Sequence, residues 1–180
     1  MTHRVRNSFA DLVVPVLALT TSLIAVSGPM AHADTITVCP SGCDYSDLQI
    51  AVDAAAPGDL VQIGAGTYLP DSTIIVSTSS VTLRGALAND GTCASILDGQ
   101  GSIRLLEVSG DSVAIEQLCL RDGVGQPFNV FPGVQIPSGD GLLVSGDFAS
   151  VVDCSFEGNS AAWAGGMLSA GHVVPEPWVP

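Results

Sequence analysis

The chain has 180 residues, an apolar share of 47% and a formal net charge of −13 at pH 7. This length suits one domain, and the apolar share supplies a core and excludes a disordered chain. Nucleic acid is excluded as a partner because phosphate contacts need clustered lysine and arginine, and the chain has five such residues in all.

The N-terminus has the pattern of an export signal. Arg4 and Arg6 precede an apolar run at 12–26 that is too short for a good membrane span, and Ala31 and Ala33 stand where a signal peptidase cuts. We therefore predict a signal peptide over 1–33, with a short membrane anchor as the alternative. No later run is long enough to span a bilayer, so the mature protein is expected outside the cell or in the cell envelope.

Cleavage after Ala33 would leave an even more acidic protein. Residues 34–180 contain three arginines, no lysine and seventeen acids, which gives a formal charge of −14. Such a surface repels acidic polysaccharides unless a cation intervenes.

Five cysteines in an exported chain indicate disulfides. Cys39 and Cys43 flank a Pro-Ser-Gly turn and are predicted to form one. The odd number leaves at least one of Cys93, Cys119 and Cys154 free or paired elsewhere. Burial of Cys119 and Cys154 as small core residues is the alternative.

The first element after the signal is a short helix in "YSDLQIAVDAAAPGD". Ser46 is placed to cap it, and Gln49, three residues later, completes the pattern of a capping box. Pro57 and Gly58 end it. The apolar stripe that this helix would bury comprises Leu48, Ala51, Val52 and Ala55.

Short strands follow the helix, and two segments repeat. Apolar residues alternate in "LVQIG", "STIIV", "VTLRG" and "ASILDG", as in strands. "LEVSGDSVAIEQLCL" (106–120) aligns without a gap with "LLVSGDFASVVDCSF" (142–156) at a shift of 36, and 76–83 echoes 108–115 at a shift of 32. Recurring strands at an imperfect interval indicate a β-solenoid.

The predicted fold is therefore all-β: a short right-handed parallel β-helix over 34–168, with an N-terminal capping helix and a Pro-rich tail over 169–180. The helix covers the first coil, which would otherwise expose an apolar end and unpaired strand groups. About four or five coils fit after Leu60.

The stretch from Tyr45 to Tyr68, followed by "VTLRG" and "SILDG", resembles the N-terminal part of pectin-lyase-like β-helix proteins, a superfamily of pectinesterases, polysaccharide lyases and other secreted proteins. A narrower similarity concerns "FEGNSAAWAGGML", which resembles the F-x-x-N…G-G-A repeat of chlamydial-type polymorphic outer-membrane proteins. Met167 departs from the alanine usual in that repeat. The matching residues are Phe156, Asn159, Gly165 and Gly166.

Several active-site motifs of these enzymes do not appear. Asn159, Ser160 and Ala161 follow Gly158 where the resemblance to pectinesterases implies a Gln-Asp-Thr with a catalytic acid. Polygalacturonase motifs are missing as well, since one of them needs a lysine. His172 lies in the Pro-rich tail and outside any nucleophile-elbow motif.

Lyase chemistry is the enzymatic alternative that the sequence leaves open. Resemblance to pectate lyases implies Ca²⁺ held by aspartates and an arginine that acts as base. Arg121 is the catalytic candidate among the three arginines, which also include Arg84 and Arg104. The acids that could share a calcium ion through hard oxygen ligands are Asp122, Asp140, Asp147, Asp153 and Glu157; a solvated acidic face is the alternative for them.

The segment "AGGMLSAGHVVPEPWVP" has no closing helix or polar coil. We expect a truncated chain, with a plug formed by Trp178 or a partner chain as alternatives. The functional expectation is a secreted or surface-exposed, non-catalytic protein that binds a polysaccharide or cell-surface glycan, in the manner of an adhesin. The alternative is a fragment of a pectate-lyase-like or pectinesterase-like enzyme.

Overall fold

The computed structural model describes residues 32–131, 134–138, 141–161 and 166–169. The predicted signal peptide therefore lies outside the described residues up to Ala31, and so does the tail from Ala170. Early in the chain come β1 (Thr35–Val38), α1 (Leu48–Ala54), β2 (Leu60–Ile63), β3 (Gly66–Tyr68), β4 (Ile74–Val76), β5 (Thr82–Arg84), β6 (Ser95–Asp98) and β7 (Leu106–Val108). They are followed by β8 (Ala114–Glu116), β9 (Leu118–Arg121), β10 (Gln126–Phe131), β11 (Val134–Ser138), β12 (Leu142–Val144), β13 (Ser150–Val152), β14 (Ser155–Glu157) and β15 (Met167–Ser169).

Three parallel sheets form the faces of a right-handed parallel β-helix, as predicted. Sheet A has the order β1-β2-β5-β8-β13, sheet B the order β14-β9-β6-β3, and sheet C the order β15-β12-β7-β4. From β2 onward the chain visits the three sheets in turn, four times over, so the described residues contain four coils. Each coil pairs only with its neighbours, which is the arrangement expected of a solenoid.

The shifts of the sequence repeat are the shifts at which strands of successive coils pair. Leu142 pairs with Leu106 and Val144 with Val108, which is the shift of 36 residues. Val76 pairs with Val108, which is the weaker shift of 32. The two VSGD segments are neighbours at the corner between sheets C and A, as the sequence predicted.

Hydrogen bonds join these two VSGD corners directly. The backbone N–H of Asp147 donates to Oδ1 of Asp111 over 2.9 Å, and Ser112 N–H donates to the carbonyl of Asp147 over 2.7 Å. A Cβ on Gly146 would collide with the carbonyl oxygen of Gly110. The repeated glycine is therefore required for the close approach of successive coils.

Inward-facing side chains stack in columns and fill the solenoid. Val61, Leu83 and Ile115 are in register on sheet A and fully buried. Burial of such a side chain contributes about 1.5–3 kcal/mol. In the fourth coil the register partners of buried residues are only partly buried, because no described coil packs beyond them. They are Val151, Cys154, Phe156 and Met167.

The capping helix buries the predicted stripe, but its cap differs from the prediction. Leu48, Ala51 and Val52 are buried against the end of the solenoid. The N-cap is Asp47 and not Ser46: an Asp47 side-chain oxygen accepts the N–H of Ile50 over 2.9 Å. The adjacent carboxylate takes this role because an ionised acceptor makes a stronger bond to a backbone N–H than a hydroxyl does.

Gln49 does not close a capping box either. Its side-chain amide hydrogen-bonds the backbone of Ile75 on β4. The capping-box prediction was wrong because the helix begins one residue later than expected, which moves Gln49 from the third to the second helical position and turns it toward sheet C.

The long loop after β9 contains an element that the sequence did not predict. Strands β10 and β11 pair as an antiparallel hairpin within residues 126–138. In the described parts of the chain, no helix is long and apolar enough to cross a membrane.

Two disulfides brace the solenoid. The predicted pair, Cys39 and Cys43, is bonded, with Cα atoms 5.5 Å apart. A second disulfide joins Cys93 to Cys119, so Cys119 is not a free core residue. Cys154 keeps a free thiol, whose pKa is raised by burial.

A candidate binding groove on the outer face of sheet B

The outer face of sheet B carries two adjacent columns of side chains. Parallel strands in register stack equivalent residues one above another, because successive side chains alternate between the two faces of the sheet. One column is formed by Ile96, Cys119 and Ser155, and the other by Asp98, Arg121 and Glu157. The strands hold both columns in fixed positions.

Arg121 is anchored by Asp98 at the centre of the second column. Nε and Nη2 of Arg121 donate to Oδ2 of Asp98 over 3.0 and 2.8 Å. The N–H of Gln100 and the Arg121 guanidinium hold the pKa of Asp98 below its usual value. The same contact with Asp98 raises the pKa of Arg121, with smaller contributions from Asp122 and Glu157.

This pairing determines what Arg121 can do chemically. An arginine that acts as base must lose its proton, and neighbouring carboxylates stabilise the protonated form. Arg121 is therefore suited to donate hydrogen bonds and to hold a positive charge. The Nη1 atom forms no hydrogen bond to any residue that the structure describes, and the side chain is 38% exposed.

The two columns border a groove of about 380 Å³. This volume lies within the usual range of small-molecule sites. Ile96 and the disulfide supply apolar surface, whereas hydroxyls, the guanidinium and a carboxylate supply hydrogen-bonding groups. The lining residues are Thr92, Cys93, Ile96, Cys119, Arg121, Ser155 and Glu157.

The Cys93–Cys119 disulfide forms one side of the groove. It ties the loop before β6 to β9, and Leu87 pairs with Cys93 across that loop. Ser155 Oγ donates to Oε1 of Glu157 over 3.1 Å at the other side. The groove is thus built on a sheet and a cross-linked loop, which hold its lining residues in place.

The two other arginines of the predicted mature chain are also paired with acids. Arg84 Nε contacts Glu116 Oε2 over 2.6 Å on the outer face of sheet A. Arg104 Nη1 contacts Glu107 Oε2 over 2.8 Å beside sheet C, and the Arg104 side chain is 6% exposed. All three candidates for a lyase base therefore stand next to a carboxylate.

The calcium candidates occupy different parts of the fold. Asp122 and Glu157 flank Arg121 on sheet B, whereas Asp147 lies at the corner between sheets C and A and Asp153 at the corner between sheets A and B. Within the described ranges, no three histidine, cysteine, aspartate or glutamate residues are grouped so that they could hold a metal ion. Asp140 lies outside the described residues.

Asn159 and Phe156 of the outer-membrane-type motif have structural contacts. Asn159 Nδ2 donates to the carbonyl of Leu120 over 2.9 Å, and its Oδ1 accepts the N–H of Gly123 over 2.8 Å. Phe156 packs against the core. Gly165 lies outside the described residues, and the similarity to those repeats stays a prediction.

A larger pocket, of about 500 Å³, lies beside the N-terminus of α1. Three of its polar side chains are already used by the fold: Asp47 caps the helix, Gln49 binds Ile75, and the Tyr68 hydroxyl donates to the carbonyl of Gly64 over 2.9 Å. The sheet B groove is the stronger candidate for a binding site because Arg121 and Glu157 present hydrogen-bonding groups there.

Comparisons with known proteins support the fold. No protein-family profile matches the sequence, and no curated protein is significantly similar to it. A crystal structure of a pectin methylesterase mutant in complex with hexasaccharide IV matches with a TM-score of 0.51 and 16% sequence identity. The match covers 77% of this chain and 48% of that one, so this chain spans about half the length of the esterase. At this identity the likeness shows the parallel β-helix fold alone.

Proposed function

We propose that this protein is an exported, non-catalytic β-helix protein that binds a polysaccharide or cell-surface glycan in the sheet B groove. The observation that carries the proposal is the composition of that groove. A protonated arginine, a carboxylate and hydroxyls lie beside an apolar strip on a rigid sheet, which suits the hydroxyl and C–H surfaces of a sugar. Two disulfides support an extracellular location.

The groove residues do not support catalysis. Asp98 and its neighbours stabilise the charged form of Arg121, whereas a lyase base must be neutral. The Cys154 thiol is partly buried against the core, and this burial raises its pKa, which disfavours the nucleophilic thiolate. The pectin methylesterase with the same fold was solved with a hexasaccharide, which supports a sugar as the class of ligand.

Affinity electrophoresis in gels that contain single polysaccharides tests this proposal. We expect retardation by at least one polysaccharide and about tenfold weaker binding by Arg121→Gln, because a charge-assisted hydrogen bond to the ligand is lost. Arg84→Gln is the matched control, since Arg84 is also paired with a carboxylate but lies on sheet A; it should bind like the parent protein.

The same samples test the enzymatic alternative, a polysaccharide lyase or carbohydrate esterase. They are incubated with pectate and methyl-esterified pectin, with and without Ca²⁺, and release of unsaturated uronate and methanol is measured. Turnover above the level of a heat-inactivated sample would replace the binding proposal with the enzymatic one. Equal binding by the Arg121 and Arg84 variants would show that the polysaccharide does not bind in the sheet B groove.

A further inference from the structure

We infer that the sheet B groove selects uncharged sugars over uronates, and that Glu157 sets this selectivity. The inference rests on the proposed function, because it concerns the ligand of the same groove. It starts from the charges of the column formed by Asp98, Arg121 and Glu157.

The single positive charge of the groove is already compensated. Both Nε and Nη2 of Arg121 are bound to Oδ2 of Asp98 at 3.0 and 2.8 Å. Glu157 pairs with Arg121 in the strand register and lines the groove. Asp122 adds a further carboxylate, with its Oδ2 atom 3.9 Å from Nε of Arg121. The column carries a formal charge of −1, and −2 with Asp122.

A uronate would therefore meet a negative field in the place where its carboxylate needs a positive one. Specific binding of a carboxylate by arginine uses two parallel N–H donors, and Asp98 already takes two of the Arg121 nitrogens. The whole predicted mature chain is acidic as well, with a formal charge of −14, so the long-range potential also repels a polyanion.

A neutral sugar can bind the same groups without this electrostatic repulsion. Sugar hydroxyls can donate to the Glu157 carboxylate, and Nη1 of Arg121 can donate to a sugar oxygen. Ile96 and the Cys93–Cys119 disulfide offer apolar surface to the C–H face of a sugar ring. Glu157 is the exposed member of the charged column, so it is the acid that an incoming ligand meets first.

The inference is tested with each neutral polysaccharide that retards the protein and with the same polymer after oxidation of its primary alcohols to carboxylates. The two probes differ in charge and share a backbone. We expect at least tenfold weaker binding of the oxidised polymer at low salt. That difference should shrink as NaCl is raised, because salt screens repulsion between exposed charges.

Glu157→Gln should reduce the preference for the neutral polymer to about threefold or less, and its amide oxygen should still accept a hydrogen bond from the neutral sugar. Glu116→Gln is the matched control, because Glu116 is paired with Arg84 on the outer face of sheet A; it should keep the full preference. Circular dichroism of both variants confirms that they are folded.

The outcomes separate the two proposals. Tighter or equal binding of the oxidised polymer would overturn the selectivity and leave the binding function intact. An unchanged preference in Glu157→Gln would overturn the role of Glu157. Retardation by acidic polysaccharides alone would also overturn the selectivity, and retardation by no polysaccharide at all would refute the binding function and the selectivity together.

Discussion

The side-chain amide of Gln49 pairs with both backbone hydrogen-bonding groups of Ile75. The N–H of Ile75 donates to Oε1 of Gln49 over 2.8 Å, and Nε2 of Gln49 donates to the Ile75 carbonyl over 3.1 Å. Ile75 lies on β4, the edge strand of sheet C. The glutamine thus substitutes for the peptide group of a further strand, and the helix covers a strand edge that could otherwise pair with another chain.

This relationship predicts that Gln49→Ala destabilises the fold by about 1–2 kcal/mol, because two hydrogen bonds to the edge strand are lost. Ile50→Ala is the control, since Ile50 is on the same helix and 57% exposed. Its effect should stay within about 0.5 kcal/mol. Urea denaturation measures both, and an equal effect of the two substitutions would show that the pairing does not stabilise the protein.

The position of the helix cap predicts opposite results for two adjacent residues. Asp47→Ala should lower the free energy of unfolding by about 1 kcal/mol, because the Ile50 N–H loses its acceptor. Ser46→Ala should have little effect, since Ser46 is not the N-cap. Thermal unfolding of the two variants measures the difference. A larger loss of stability in Ser46→Ala would identify Ser46 as the N-cap.

Phe148 occupies a backbone conformation that disfavours bulky residues. Its φ of 58° matches the values of 61° and 55° at Ser80 and Ser112, the equivalent corners of the preceding coils. Left-handed φ costs an L-residue about 1–2 kcal/mol relative to glycine. Phe148→Gly should therefore be more stable than Phe148→Ala by about 1 kcal/mol, measured by urea denaturation. The reverse order is normal at an ordinary site, and its observation here would contradict the left-handed corner.

Acid should destabilise the protein through aspartates whose pKa is lowered by folding. The N–H groups of Asp34 and Ala56 hold the pKa of Asp59 below its usual value, and Asp98 is lowered by Gln100 and Arg121. A lowered folded pKa stabilises the protein at pH values above the unfolded pKa, about 3.9, and this stability is lost as pH falls through the folded pKa. We expect a plateau in Tm above about pH 5 and a decline below about pH 4.

Asp59→Asn tests the origin of that decline. The variant should lose stability at neutral pH and show a shallower loss on acidification, because one of the responsible carboxylates is gone. The exposed Asp71 makes no hydrogen bond to the described residues, so Asp71→Asn should follow the parent curve. If Tm falls equally steeply on acidification in Asp59→Asn and in the parent protein, groups other than Asp59 cause the loss of stability.

The stack and its register could be predicted because they repeat in the sequence. Residues 106–120 and 142–156 pair at the same shift of 36 residues in all three sheets, so their register partners align without a gap. The apolar stripe of the helix was visible for the same reason, since burial imposes a period on the side chains. Periodic features are the ones that a single sequence reveals.

The centre of the groove does not repeat, and it could not be predicted. Asp98 pairs with Arg121 at a shift of 23 residues, whereas the neighbouring strands of sheet A at this level are shifted by 32. The difference arises from the loop that contains Cys93, whose length no periodic pattern fixes. The sequence indicated Arg121 and Glu157 as candidates, but their neighbours Asp98 and Ile96 became apparent only from the strand pairing.

The central claim is that a sugar binds on the outer face of sheet B, and chemical-shift mapping tests it most directly. An oligosaccharide of the polymer that retards the protein is titrated into ¹⁵N-labelled protein, and the backbone amide signals are followed. We predict the largest shifts at Ile96, Cys119, Arg121, Ser155 and Glu157, with the amides of helix α1 unchanged. Shifts that cluster on sheet A, on sheet C or around α1, with none on sheet B, would contradict the account.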